Sequence, residues 1–172
     1  DYRDALESLE ELVEKDPAVY EPNLAMIYNN LGLFYSEDGR RQEAEDHYQK
    51  SLKIYGSLAK EQPAVYEPGL ATIYNNLGKF YSDDGHRQEA EDHYQKSREL
   101  YERLAKEQPA VYEPGLAMIY NNLGVFYSGD GRRQEAEDDY QKSRELSERL
   151  AKKKRAGYEP GLAMIGDHMG IF

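Results

Sequence analysis

The histidines are the residues of this sequence best suited to catalytic or metal chemistry, and their spacing does not support either. No two of His47, His86, His93 and His168 stand four positions apart, the spacing of a zinc site on one helix face. His47 and His93 occupy equivalent positions of a repeat in which the third unit has Asp139, and this exchange predicts a surface residue. The chain also has no cysteine, which removes thiolate ligands, cysteine nucleophiles and disulfide bonds. We therefore predict no enzymatic activity, no metal ligands and no cofactor.

Acidic turns are the second place where chemistry could reside. Asp38, Asp84 and Asp130 each precede a glycine, as in some calcium loops, but the alternating oxygen ligands and the final glutamate are absent. The sequence contains neither a phosphate-binding glycine loop nor a nucleophile elbow. These Asp-Gly pairs are therefore predicted to be turns between helices.

The charge of the chain limits the partners it can bind. A net charge of −11 disfavours nucleic acid and anionic membrane surfaces, both of which need clustered basic residues. No apolar run reaches the length of a membrane helix, and no signal peptide opens the chain, so we predict a cytoplasmic location. Part of the acidic excess recurs at Glu43, Glu45 and Asp46 and their equivalents, where it predicts a solvated helix face.

The chain is an internal repeat with a period of 46 residues. The string PAVYEP begins at Pro17, Pro63 and Pro109, and adjacent complete units differ at only 10 and 8 of their 46 positions. Recent duplication, homogenisation and consensus design each explain such similarity. The ends align with parts of a unit, which predicts a single array with five segments: half repeat 1–16, repeats 17–62, 63–108 and 109–154, and half repeat 155–172.

Each unit is predicted to be a helical hairpin. In the first helix, apolar residues recur every three or four positions from Leu24 to Tyr35, and Pro22 suits a first helical turn. Gly39 is expected to end that helix in the left-handed conformation, and a second helix follows from Arg41 to Lys60. One hairpin cannot cover both of its apolar faces, so the hairpins must stack. The predicted fold is an all-α solenoid of about eight helices.

The residues of the unit resemble the tetratricopeptide repeat: a large residue, Leu-Gly and Tyr on the first helix, a turn glycine, then Ala, an aromatic and a small residue on the second. The 46-residue length, against 34 in the common unit, is similar to the extended repeats of kinesin light chains. The resemblance implies a right-handed superhelix whose first helices line a concave groove. In the first unit the matching residues are Tyr28, Leu31, Gly32, Tyr35, Gly39, Ala44, Tyr48 and Ser51.

The resemblance also implies a peptide or protein segment as the ligand of the groove. Asparagine has two donors and an acceptor in one amide and can hold a peptide backbone, but copied asparagines can equally bond to a neighbouring helix. The residue that varies between units forms a mostly apolar strip. Only Lys79 provides a cation in the groove, so a clamp for a C-terminal carboxylate is not expected. The predicted peptide-binding residues are Asn29, Asn30, Leu33, Asn75, Asn76, Lys79, Asn121, Asn122 and Val125.

The two terminal half repeats suggest a second function. A lone second-type helix at one end complements a lone first-type helix at the other, so chains could associate head to tail into an open assembly. The sequence thus leaves three alternatives: a non-enzymatic peptide-binding scaffold, a self-associating structural array, and a regulatory module of a larger protein.

Overall fold

The structure is a computed structural model that describes the backbone of residues 2–168 and the side chains of residues 6–153. Within these residues it consists of α-helices joined by short turns, which confirms the predicted all-α fold. Seven helices are present, close to the eight predicted: α1 Tyr2–Lys15, α2 Pro17–Glu37, α3 Arg41–Glu61, α4 Pro63–Asp83, α5 Arg87–Glu107, α6 Pro109–Gly129 and α7 Arg133–His168.

The chain divides into two compact bodies. The N-terminal body, Asp1–Tyr101, contains α1 to α4 and most of α5, and the C-terminal body, Glu102–Phe172, contains the end of α5, α6 and α7. In the N-terminal body, α2 packs against α1, α3 and α4, and α3 packs against α4. In the C-terminal body, α6 packs against α7. The N-terminal body is thus a stack of packed helices, and the C-terminal body is built around one helix pair.

The first helix of each unit begins five residues earlier than the sequence pattern predicted. Pro17 occupies the first turn of α2, where its missing N–H needs no partner, and Pro22 lies inside the helix. Pro63 and Pro109 begin α4 and α6 in the same way. The prediction that Pro22 lies in the first turn was therefore wrong, because the helix already begins at Pro17.

The first helices end as predicted, at left-handed glycines. Gly39 has a φ of 76°, and its equivalents Gly85 and Gly131 have 79° and 75°. The N–H of Arg40 donates to Tyr35 O at 2.8 Å and that of Gly39 to Ser36 O at 3.2 Å, which is the Schellman pattern. This tight turn lets the second helix fold back along the first.

The two helices of a hairpin touch where the Leu-Gly motif meets the second-helix tyrosine. A Cβ on Gly32 would lie 2.6 Å from Tyr48 Cδ1, so only glycine allows the ring to lie flat against α2. One turn further along α3, Ser51 Oγ donates to the carbonyl of Ala25 at 2.6 Å. Ser51 is fully buried and its hydroxyl is satisfied, which explains how a polar residue is tolerated at this position.

The C-terminal half repeat does not form a separate helix in the structure. The helix α7 continues without a break from Arg133 to His168. Position 155, equivalent to Pro109, is Arg155, so the proline that begins each earlier first helix is missing and the second helix continues. The side-chain packing predicted for residues 155–172, and the side chain of His168, lie outside the described residues.

Candidate peptide-binding surface

Two predicted asparagines of the N-terminal body connect neighbouring first helices. Asn76 Nδ2 on α4 donates to Asn29 Oδ1 on α2 at 2.8 Å. Within each pair the contacts are longer, because Asn29 Nδ2 and Asn75 Nδ2 lie 3.5 Å from the amide oxygens of Asn30 and Asn76. Part of the hydrogen-bonding capacity of Asn29 and Asn76 is therefore used to join α2 to α4.

The exposure of the asparagines separates their roles. Asn75 is only 6% exposed and belongs to the interior, whereas Asn30 is exposed. In the C-terminal body, Asn121 is exposed and Asn122 is half-buried. In the first unit the accessible asparagine is thus the second of the pair, Asn30. In the third unit it is the first of the pair, Asn121, although the two units have the same residues here.

A cleft of about 160 Å³ in the N-terminal body brings three of the predicted residues together, namely Leu33, Asn76 and Lys79. Tyr48 and Phe80 are also in its lining, with their ring centroids 5.7 Å apart. The cleft therefore combines an apolar wall with polar side chains, as small recognition sites do. Its complete lining is Leu33, Ser36, Glu37, Arg41, Tyr48, Asn76, Lys79, Phe80 and Asp83.

The charges around this cleft are mostly paired with one another. Lys79 Nζ lies 2.6 Å from Asp83 Oδ2, and Arg41 Nε lies 2.7 Å from Asp84 Oδ1. Glu37 has no ion pair among the described residues. Lys79, which could have bound a carboxylate, is thus paired with Asp83 of its own helix. The unpaired charge that remains in the lining is the negative charge of Glu37.

Two exposed methionines beside the predicted apolar residues were not anticipated. Met26 and Leu33 are 50% and 42% exposed and lie on the same face of α2, two turns apart, with Asn30 between them. On α6 the same spacing places Met118 beside the predicted Val125, both exposed. Spacing of seven residues on the first helix was the signal that could have identified the two methionines.

The position shared by His47, His93 and Asp139 is half-buried or buried, which corrects the prediction of a surface residue. His47 is half-buried, its ring stacks on Tyr35 at 5.2 Å, and its Nδ1 is buried without a hydrogen-bond partner. His93 repeats this arrangement on Tyr81 at 5.4 Å. Burial lowers the pKa of both histidines. Asp139, the third equivalent, is only 3% exposed. The change from histidine to aspartate at this position therefore reflects different packing in the third unit and not exposure to solvent.

Some of the acidic residues predicted to form a solvated face take part in packing. Tyr81 on α4 donates its hydroxyl to Glu45 on α3 at 2.6 Å, and Gln49 Nε2 donates to the same hydroxyl at 3.3 Å. Burial and the neighbouring carboxylate raise the pKa of Tyr81 to about 12. Glu45 therefore stabilises the contact between two units.

The described residues contain no group of three or more acidic, histidine or cysteine side chains placed to hold a metal ion. Nor does any helix in that part of the chain have the length and apolar character needed to span a membrane.

These contacts define a class of protein, the stacked helical-hairpin repeats. Models of the tetratricopeptide repeat match residues 1–57 and 23–103, and a further one matches 116–154. The chain belongs to the tetratricopeptide repeat family, which confirms the family predicted from the sequence. Members of this family are generally non-enzymatic scaffolds that bind peptides or proteins.

Among solved structures, the chain is similar to the crystal structure of BtubC (BKLC) from P. vanneervenii, with a TM-score of 0.71 and 22% sequence identity. The match covers 87% of this chain and 58% of that one, so the chain spans little more than half the length of that relative. The crystal structure of MamA matches more distantly, with a TM-score of 0.36 and 23% identity over 88% of this chain and 92% of that one. No curated protein matches this sequence.

Proposed function

We propose that the chain is a non-enzymatic scaffold that binds an extended peptide segment along its first helices. The observation that carries this proposal is the cleft in which Leu33, Asn76 and Lys79 meet. Asn30 is exposed one helical turn from Leu33, and no side chain among the described residues accepts a hydrogen bond from its amide N–H groups. The amide can therefore donate to a peptide carbonyl while Leu33 contacts an apolar side chain of the peptide.

The charge of the cleft narrows the peptide that it accepts. Lys79 and Arg41 are neutralised by Asp83 and Asp84, so Glu37 contributes an unpaired negative charge. We therefore expect a preference for peptides in which an apolar residue stands close to a lysine or arginine. Peptides with the same apolar residue next to glutamate should bind more weakly, because the like charges repel.

The experiment compares Asn30→Ala with the wild-type protein in fluorescence-anisotropy titrations against a library of apolar-basic peptides. Loss of one hydrogen bond of about 0.5–1.5 kcal/mol is expected to weaken binding about two- to tenfold. Leu33→Ser is expected to weaken it further, because it removes an apolar contact. The control is Gln88→Ala, an exposed residue of the second helix α5 that should leave binding to this cleft unchanged. Equal affinities for Asn30→Ala and wild type would contradict the proposal.

A second function, head-to-tail self-association, is favoured by the face of α7 around Tyr140. Tyr140 is 39% exposed, whereas its equivalent Tyr48 is 1% exposed beneath α4. Around Tyr140 an open cleft of about 410 Å³ has no helix over it among the described residues. The lining is Ser128, Arg133, Ala136, Glu137, Tyr140, Gln141 and Arg144.

The contacts between α3 and α4 are a template for what this face would bind. There, Arg41 pairs with Asp84, Glu45 and Gln49 bond Tyr81, and Tyr48 packs on Phe80. The face of α7 has the same four residue types at the equivalent positions: Arg133, Glu137, Tyr140 and Gln141.

The start of the chain has the complementary residues of α4. Phe34, Tyr35 and Asp38 are equivalent to Phe80, Tyr81 and Asp84, and Phe34 is 57% exposed whereas Phe80 is 3% exposed. The helix α2 of a second chain therefore has the residues to make, with the α7 face, the contacts that α4 makes with α3 within one chain. Such docking requires α1 to move from α2, since α1 occupies the equivalent of residues 48–61.

The test is a charge swap measured by sedimentation velocity. Arg133→Asp alone and Asp38→Arg alone should each be monomeric at concentrations where the wild type assembles. Mixing the two variants should restore assembly, because every junction of alternating chains then pairs opposite charges. A wild type that stays monomeric at high concentration, or a mixture that stays monomeric, would exclude this function without affecting peptide binding to the cleft.

A further inference from the structure

Three tyrosines at equivalent positions of the first helices have different hydroxyl partners. Tyr28 donates to Glu10 at 2.5 Å, and Tyr120 donates to Glu102 at 2.8 Å. Tyr74, the equivalent residue of the middle unit, makes no hydrogen bond with its hydroxyl among the described residues. The position that provides the carboxylate in the other two is Gly56 here.

The missing side chain leaves a cleft of about 640 Å³ between the end of α3 and the start of α4. A Cβ on Gly56 would have no atom within 4 Å, so packing does not require glycine there. The backbone is helical, a setting in which glycine is destabilising. The lining of the cleft includes Leu52, Lys53, Gly56, Lys60, Leu70 and Tyr74.

The charge of the cleft also differs from that of its equivalents. Lys53 occupies the position of Glu7 and Glu99 in the other units, so a cation replaces a glutamate there. Gly56, three residues further on, replaces a second glutamate. Lys60 lies in the same lining. Neither lysine makes an ion pair among the described residues. One acidic residue, Glu67, also lines the cleft, at the start of α4.

The ring of Tyr74 is held in position by its neighbours. Its centroid lies 5.7 Å from that of His93 and 5.5 Å from Lys96 Nζ. Burial raises the pKa of the Tyr74 hydroxyl, so it stays protonated and able to donate at neutral pH.

The geometry points to a binding site for a carboxylate carried on a short aliphatic chain, between Gly56 and Tyr74. The carboxylate accepts the Tyr74 hydroxyl proton in a hydrogen bond, as Glu10 and Glu102 do at the equivalent tyrosines. Lys53 and Lys60 supply the compensating charge, and the aliphatic chain lies against Leu52 and Leu70. The site is separate from the cleft at Leu33 and does not depend on peptide binding there.

The experiment titrates the intact protein with 4,4,4-trifluorobutyrate and follows binding by fluorine NMR. Wild type is expected to bind it saturably in the millimolar range. Gly56→Glu should abolish binding, because the new side chain occupies the site and pairs with Tyr74. Tyr74→Phe should weaken binding about tenfold, the loss of one hydrogen bond to a charged group.

The control is Lys106→Met, which removes an exposed lysine near the end of α5 and should leave the affinity unchanged. Circular dichroism confirms that each variant is folded. Absence of saturable binding to the wild type would overturn the inference. Equal binding by Gly56→Glu, or an unchanged affinity in Tyr74→Phe, would overturn it as well.

A competition experiment distinguishes two sources of the carboxylate. Displacement of the probe by an acetylated, amidated Ala-Ala-Glu-Ala-Ala peptide, and not by its Gln counterpart, identifies a protein side chain as a ligand. Displacement by butyrate alone identifies a free acid. Either result supports the site, and displacement by neither overturns it.

Discussion

Tyr48 and Tyr140 are the same residue of the repeat in two different settings. Each lies against a glycine of its own hairpin, Gly32 or Gly124, with a Cβ on that glycine placed 2.6 or 2.7 Å from the ring. Only Tyr48 has a further helix packed on its other side, and its exposure is 1% instead of 39%. The comparison shows that a repeat residue becomes a core residue only when the following unit packs over it.

The largest expected effect is the difference between Tyr48→Ala and Tyr140→Ala. Removal of a buried aromatic ring costs about 3–5 kcal/mol, so Tyr48→Ala should lower the free energy of unfolding by that amount. Tyr140→Ala should cost about 1 kcal/mol, because its ring is covered on one side only. Urea denaturation followed by circular dichroism measures both. Equal losses would show that the two faces are covered alike.

A smaller difference is expected between Gly32→Ala and Gly124→Ala. The new methyl group meets Tyr48 or Tyr140 at an impossible distance, so one partner must move. Tyr48 is held by Phe80, and the strain should cost about 1–3 kcal/mol. Tyr140 can rotate toward solvent, so Gly124→Ala should cost less than half as much in the same denaturation assay. A larger loss for Gly124→Ala would be inconsistent with a free outer side of Tyr140.

Gly56→Ala should change stability in the opposite direction. The added methyl group meets no atom within 4 Å, and alanine favours the helix by about 0.5–1 kcal/mol over glycine. We expect a rise in the melting temperature, measured by calorimetry. The control is Gly39→Ala, where a φ of 76° makes the same change destabilising. A destabilised Gly56→Ala would mean that the glycine is required by the fold.

The smallest expected effect is a pH dependence due to the buried histidines. Burial lowers the pKa of His47 and His93 in the folded protein, so the unfolded chain binds protons first as the pH falls. Their contribution to stability is complete above the unfolded pKa of about 6.5 and is lost as the pH falls toward the folded value.

The double variant His47→Gln, His93→Gln should therefore lose less stability than wild type between pH 7.5 and 5.5. Chemical denaturation at both pH values measures the difference. The charges near His47 are Lys50, Asp46, Glu10 and Arg40, and those near His93 are Lys96, Asp92 and Glu89. Identical pH dependence in the two proteins would show that neither histidine is shielded from protonation in the folded state.

Sequence reasoning predicted the elements that depend on local chemistry. The glycine turns and the hairpins followed from residue types such as Gly39 and from the apolar spacing of the helices. It missed features that depend on what packs against a residue. The hydrogen bond from Asn76 to Asn29 could not be predicted without knowing that α2 packs against α4. The partial burial of His47 likewise depends on its stacking with Tyr35. The near-identical units concealed these differences, because residues of the same type at equivalent positions are packed against different neighbours.

The long helix α7 has a mechanical consequence. Without a proline at position 155, the helix continues over residues 154–168 beyond the described packing of its hairpin. At 1.5 Å per residue this stretch measures about 22 Å along the helix axis. The loss of the helix-starting proline at position 155 thus accompanies the continuation of α7 where the earlier units turn back. Proline at position 155 should therefore end α7 near residue 154, as Pro63 and Pro109 follow the ends of the earlier second helices.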